Sequence, residues 1–111
     1  MEKVNIDTKT KGIILFAKGK ENYDDWLVLV TRVDDIGSRT LKIYGHIFYN
    51  IPKKIWYFSG GDENYAWGNI NHWEFFEPTK KQKQIIVDAL KERGYKYVPI
   101  LNKIIYKKID V

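Results

Sequence analysis

Two histidines, His46 and His72, the serines Ser38 and Ser59, and two aspartate pairs, Asp24–Asp25 and Asp34–Asp35, are the side chains of this sequence best suited to chemistry. A serine nucleophile needs a base aimed at it and a third group to orient that base. Both serines fall in predicted turns with no elbow motif around them, His46 lies mid-strand between aromatics, and His72 opens an aromatic strand. Structural roles are therefore expected for the histidines, and no catalytic residue is assigned. A hard cation gathers several oxygens at about 2.1–2.5 Å, whereas the strand between the aspartate pairs would hold them roughly 27 Å apart. Turn formation and edge protection suit those pairs better. "SGGDEN" (59–64) lacks the Lys-Ser/Thr of a phosphate-cradling loop and leads into a strand rather than a helix. Neither an ordinary enzyme nor a cofactor or metal site is expected.

Binding is better served. The chain holds 5 Phe, 4 Trp and 8 Tyr, more than one small core needs. Tyr and Trp carry polar tips that want water or a hydrogen bond. Tyr44, Trp56, Tyr65 and Trp67, supported by Lys42, Lys53 and Lys54, are the candidates for a stacking platform with backbone-tracking charge, as used on single-stranded nucleic acid. The competing expectation is that Trp26, Trp56, Trp73, Phe75 and Phe76 fill the core, and for Trp26 and Trp73 it is preferred.

Charge points the same way. The chain has a net charge of +5, and residues 79–111 alone carry nine basic and three acidic side chains. A local excess of that kind favours polyanions or acidic protein surfaces. Lys80, Lys81, Lys83, Lys91, Lys107 and Lys108 are the candidate nucleic-acid or anion contacts. The first three fall in a predicted first helical turn, where the helix dipole makes a cation unfavourable by about 0.3–1 kcal/mol. Either Glu74 and Glu77 relieve that cost, or an anion is held there by the free N–H groups and the lysines.

The elements that must position these groups read as strands over the first three quarters. "GIILFAKG" (12–19) is a short apolar run, and "WLVLVTRV" (26–33), apolar on both faces, suits a central strand. In "RTLKIYGHIFYN" (39–50), strict alternation puts Leu41, Ile43, Ile47 and Tyr49 on one face and Thr40, Lys42, Tyr44, His46 and Phe48 on the other. Gly45 interrupts the first set and predicts a bulge, a bend or a close backbone approach. "KIWYFS" (54–59) and "HWEFF" (72–76) complete the strands, with Tyr65 and Trp67 in a glycine-rich loop between them. A helix is predicted over Lys80–Arg93. Thr79 and Gln82 form its capping box, Ile85, Ile86, Ala89 and Leu90 its apolar stripe, and Gly94 its C′ residue. Two short strands about a Pro99–Asn102 turn follow.

The segment "EPTKKQKQIIVDALKERGYKYVPILNKIIYKK", after a β-rich half containing "YDDWLVLVTRV", resembles small uncharacterised accessory proteins of gut Bacteroidetes and their phages. Those commonly end in a Pro-Thr/Ser-x-x-x-Lys helix, then Gly-Tyr/Lys and a terminal hairpin. The resemblance covers the C-terminal third and implies a phage or mobile-element accessory protein, with no shared activity to carry over.

At 111 residues one domain is expected. The absence of cysteine excludes disulfides and thiolate metal sites, and the apolar run near the N-terminus is too short for a signal core or a membrane span. A cytoplasmic α+β protein follows: a small, strongly bent antiparallel sheet or partly open SH3-like barrel with one C-terminal helix. The expected function is non-catalytic binding of nucleic acid. The alternatives are inhibition of a host protein or a virion or assembly role, anchored by Tyr65, Trp67 and Trp73, and sequestration of a small nucleotide in a barrel mouth. A homodimer through an uncovered sheet edge is also open.

Overall fold

The structure, a computed structural model, describes residues 2–59, 65–67, 70–100 and 103–108, with the backbone alone at 65–66, 96–100 and 103–108. Its elements are β1 (Ile13–Gly19), β2 (Trp26–Asp35), β3 (Leu41–Asn50), β4 (Ile55–Phe58), β5 (Tyr65–Trp67), β6 (Trp73–Phe76), α1 (Lys80–Glu92), β7 (Tyr95–Ile100) and β8 (Lys103–Lys108). The fold class is the expected one, α+β with a bent sheet and a C-terminal helix, and the sheet stays open rather than closing into a barrel.

β2 runs through the middle of the sheet because both of its faces are apolar: Leu27, Val28, Leu29 and Val30 are all fully buried. The antiparallel order is β4-β3-β2-β1-β6, with β5 also paired to β3. Two apolar layers flank this sheet. On one face Ile14, Phe16, Leu27, Leu29 and Ile47 pack beneath Ile86, Val87 and Leu90 of α1. On the other, Leu15, Ala17, Val28, Val30, Val33, Ile43 and Phe48 are covered by Ile70 and Phe75, with Trp26, Trp67 and Trp73 around them. Burying each such side chain fully contributes about 1.5–3 kcal/mol relative to exposure.

Two compensating bulges bend the sheet. The register steps from Leu29↔Ile47 to Val30↔Gly45, then to Arg32↔Tyr44. His46 is thus an extra residue in β3 and Thr31 an extra residue in β2, and each reverses the in–out alternation of its strand. Strict alternation through β3 therefore fails. Ile43 joins Phe48 on one face, while Ile47 and Tyr49 lie on the other. The sequence signal at Gly45 is real, and it has two parts. The extra residue is its neighbour, and Gly45 itself is a close approach: a Cβ there would lie 2.5 Å from the Phe48 ring.

β4 pairs with Ile47–Asn50 and β5 with Ile43–Gly45, so one edge of β3 carries two strands in succession. The break between them falls at His46, whose carbonyl accepts from the Ser59 N–H at 2.9 Å. β5 corrects the loop expectation, since a three-residue strand is defined by its pairing rather than by its own pattern.

The capping box of α1 is as expected. Thr79 Oγ1 accepts from Gln82 N at 3.1 Å, and Thr79 N donates to Gln82 Oε1 at 2.9 Å. Gly94, at φ +82°, supplies the left-handed residue after the C-cap Arg93. The stripe needs one correction, since Ile85 is 39% exposed and Val87 takes its place in the core. Pro99 also differs from expectation: it is paired with Ile104 inside the β7–β8 hairpin rather than starting a turn. No described helix is long and apolar enough to cross a membrane.

Candidate functional site

The basic third of the sequence coincides with one structural unit, α1 with the β7–β8 hairpin that follows it. Lys80, Lys81 and Lys91 are exposed, and among the described residues none forms an ion pair. No acidic residue occupies the first turn of α1. Relief comes from outside the helix and only to Lys83, whose Nζ lies 3.1 Å from Glu77 Oε1. An exposed pair of this kind contributes roughly 0–1 kcal/mol. Lys80 and Lys81 therefore add to the positive end of the helix dipole instead of being neutralised. The side chains of Lys107 and Lys108 lie outside the described residues. Their strand positions face Lys96 and Tyr95 in the hairpin register.

The aromatic candidates do not form one platform. Trp67 stacks on Trp73 with centroids 4.1 Å apart, meets Trp26 edge-on at 5.4 Å and packs on Phe48 at 4.8 Å. It belongs to the layer opposite α1, a correction to its placement as a loop aromatic. Trp73 and Trp26 pack in that layer as preferred, with the Trp73 indole donating to the Asp24 carbonyl at 3.0 Å. Trp56 lies on the helix side, stacked on Tyr49 at 4.0 Å and on Phe58 at 5.6 Å. The side chain of Tyr65 lies outside the described residues. Tyr44 keeps the character sought. Its ring is half-buried, with the Arg32 guanidinium 4.1 Å and the Lys42 ammonium 5.1 Å from its centroid. Of the other supporting lysines, Lys53 pairs with Asp24 at 3.4 Å and Lys54 stands exposed in a turn at φ 56°.

The bulge in β3 aims His46 inward, where it is 3% exposed. A hydrogen bond of 2.9 Å joins its Nδ1 to Ser59 Oγ, itself 6% exposed, and the Tyr95 ring meets the imidazole edge-on at 4.9 Å. Burial pushes the His46 pKa below its ordinary value. The sequence separates these partners by thirteen residues, and only the unpredicted pairing at the bulge brings them together. The pair sits where the sheet bends, at the break between β4 and β5. His72 is half-buried and stacked on Tyr23 at 4.1 Å.

The aspartate pairs hold turns, as their spacing suggests. Asp25 accepts from the Gly19 N–H and Asp35 from the Gly37 N–H, each at 2.9 Å. Asp34 pairs with Arg32 at 3.2 Å. Asp24 accepts from Asn50 Nδ2 at 3.0 Å, and that hydrogen bond, followed by the Lys53 ammonium, holds its carboxyl below the usual range. Comparison with known protein families, characterised proteins and solved structures finds no match for this chain.

Proposed function

We propose that this chain is a non-catalytic binding protein of phage or mobile-element type that holds nucleic acid on the cationic surface of α1 and the β7–β8 hairpin. One observation carries the reading. The whole positive excess of the sequence resides in that unit, with Lys80, Lys81 and Lys91 exposed and without carboxylate partners among the described residues. Phosphate oxygens are the ligands such a surface suits, since they satisfy both the lysines and the positive end of the helix. Tyr44, with Arg32 and Lys42 over its ring, combines an aromatic face with cations, the pairing that base stacking uses.

Fluorescence anisotropy with a labelled oligothymidylate tests this. Affinity should fall linearly in log[salt] with a slope of about −0.7 per phosphate contact. The double variant Lys80→Glu/Lys81→Glu should weaken binding and flatten that slope. Affinity unchanged by salt or by charge reversal would exclude the reading.

A further inference from the structure

We infer that the groove between α1 and β4 receives an extended segment of a partner protein in which basic residues flank an apolar anchor. The groove shares α1 with the cationic surface but none of its lining residues is a lysine, and the inference stands independently of that reading. The groove encloses about 350 Å³. Trp56 and Phe58 form its floor, Ile85, Asp88 and Glu92 its helical wall, and Arg93 closes one end.

Three features select the occupant. β4 pairs only with β3 among the described residues and ends its side of the sheet. Sheet edges of this kind are where extended peptides are taken up. Second, Ile85 is exposed beside the groove instead of buried with the rest of its stripe. An apolar anchor on the incoming segment would cover Ile85 and the edges of the Trp56 and Phe58 rings.

Charge is the third feature and the one that decides. α1 carries four lysines and two acids, and both acids, Asp88 and Glu92, line the groove while none of the lysines does. Neither acid is ion-paired among the described residues, and Asp88 accepts only a neutral hydrogen bond, from Gln84 Nε2 at 2.7 Å. Like charges four residues apart on a helix repel. A cation between them would convert that repulsion into attraction. The Arg93 guanidinium, 3.8 Å from the Phe58 ring centroid, already uses the floor in this way within the chain. A second copy fits less well. A twofold contact brings the same patch against itself, which would set Asp88 and Glu92 against their own equivalents.

The test uses the full chain and a fluorescein-labelled seven-residue peptide of alternating lysine and isoleucine with one central tyrosine, in about 150 mM salt. A chain of net charge +5 repels such a peptide overall, so binding reports a local site. The lysine peptide should bind, its glutamate counterpart should not, and Asp88→Lys/Glu92→Lys should weaken binding at least tenfold while Lys80→Glu/Lys81→Glu does not. Both acids are exposed, so the reversal leaves the fold intact, which a thermal melt verifies. Absence of binding, equal binding of the glutamate peptide, or indifference to the Asp88/Glu92 reversal overturns the inference. So does sedimentation showing a dimer that excludes the peptide, which would make a second copy the occupant.

Discussion

Burial holds the His46 imidazole in its neutral form, because a charged ring among Tyr95, Ser59 and the sheet would forfeit its hydration. Unfolding returns the ring to water, where its pKa is about 6.5. Below that value the unfolded chain binds a proton that the folded chain resists, so stability falls as pH falls. The contribution is fully present above the unfolded value and is lost progressively on the way down to the folded one. A urea midpoint measured at about pH 5.5 should therefore lie below that at about pH 7.5, and His46→Gln should flatten the difference. Asp24 acts in a separate, more acidic window. Its carboxylate is favoured by Asn50, so its contribution is intact above the ordinary carboxyl pKa and disappears as pH falls through the depressed folded one. Trp67 gives a second test at this scale. Its contacts with Trp73, Trp26 and Phe48 place it in the inner layer, and Trp67→Ala should cost about 3 kcal/mol in a denaturant titration. An unchanged midpoint would return Trp67 to the role of a partner-facing anchor.

The start of the helix rests on few residues. No acid in its first turn answers its free N–H groups, so the reciprocal bonds of Thr79 and Gln82 carry that end. Thr79→Ala should lower unfolding free energy by about 1 kcal/mol, read from urea denaturation. These caps were legible in the sequence because capping depends on residues within one turn of each other, and the apolar runs of β1 and β2 were legible for a similar local reason. β5 was not, since three residues acquire strand character only from β3 beside them. The faces of β3 were half legible. Gly45 marked the place, but the extra residues at His46 and Thr31 belong to a pairing between two strands, and neither strand shows it alone. Ile85 and Val87 exchanged places for a comparable reason. A helical stripe is wide enough for either, and which is buried depends on where the sheet lies. The cationic candidates come from a charge count, which needs no geometry. The aromatic candidates were divided between two faces by bulges that no local pattern revealed, and the acidic groove depends on an approach of β4 to α1 that spans the chain.

Across the whole molecule, charge is sorted by structural unit. The first 78 residues, which build the six-stranded sheet, carry ten basic and eleven acidic side chains, and the excess falls on α1 and the hairpin. Folding alone does not favour that arrangement. Lys80 and Lys81 sit where the helix dipole opposes them. Positions that cost stability in the free protein gain it back when an anion arrives, so stability and binding should respond to the same substitution with opposite signs. Lys80→Glu removes an unfavourable cation and adds a favourable anion near the helix start, and should raise unfolding free energy by about 0.5–1 kcal/mol. The same change should weaken oligonucleotide binding and reduce its salt slope by about one contact. Urea denaturation and salt-dependent anisotropy on one purified variant decide the matter. A variant that is more stable and binds as before would show that these lysines are a solvated helix face, and the phosphate-binding role would have to be given up.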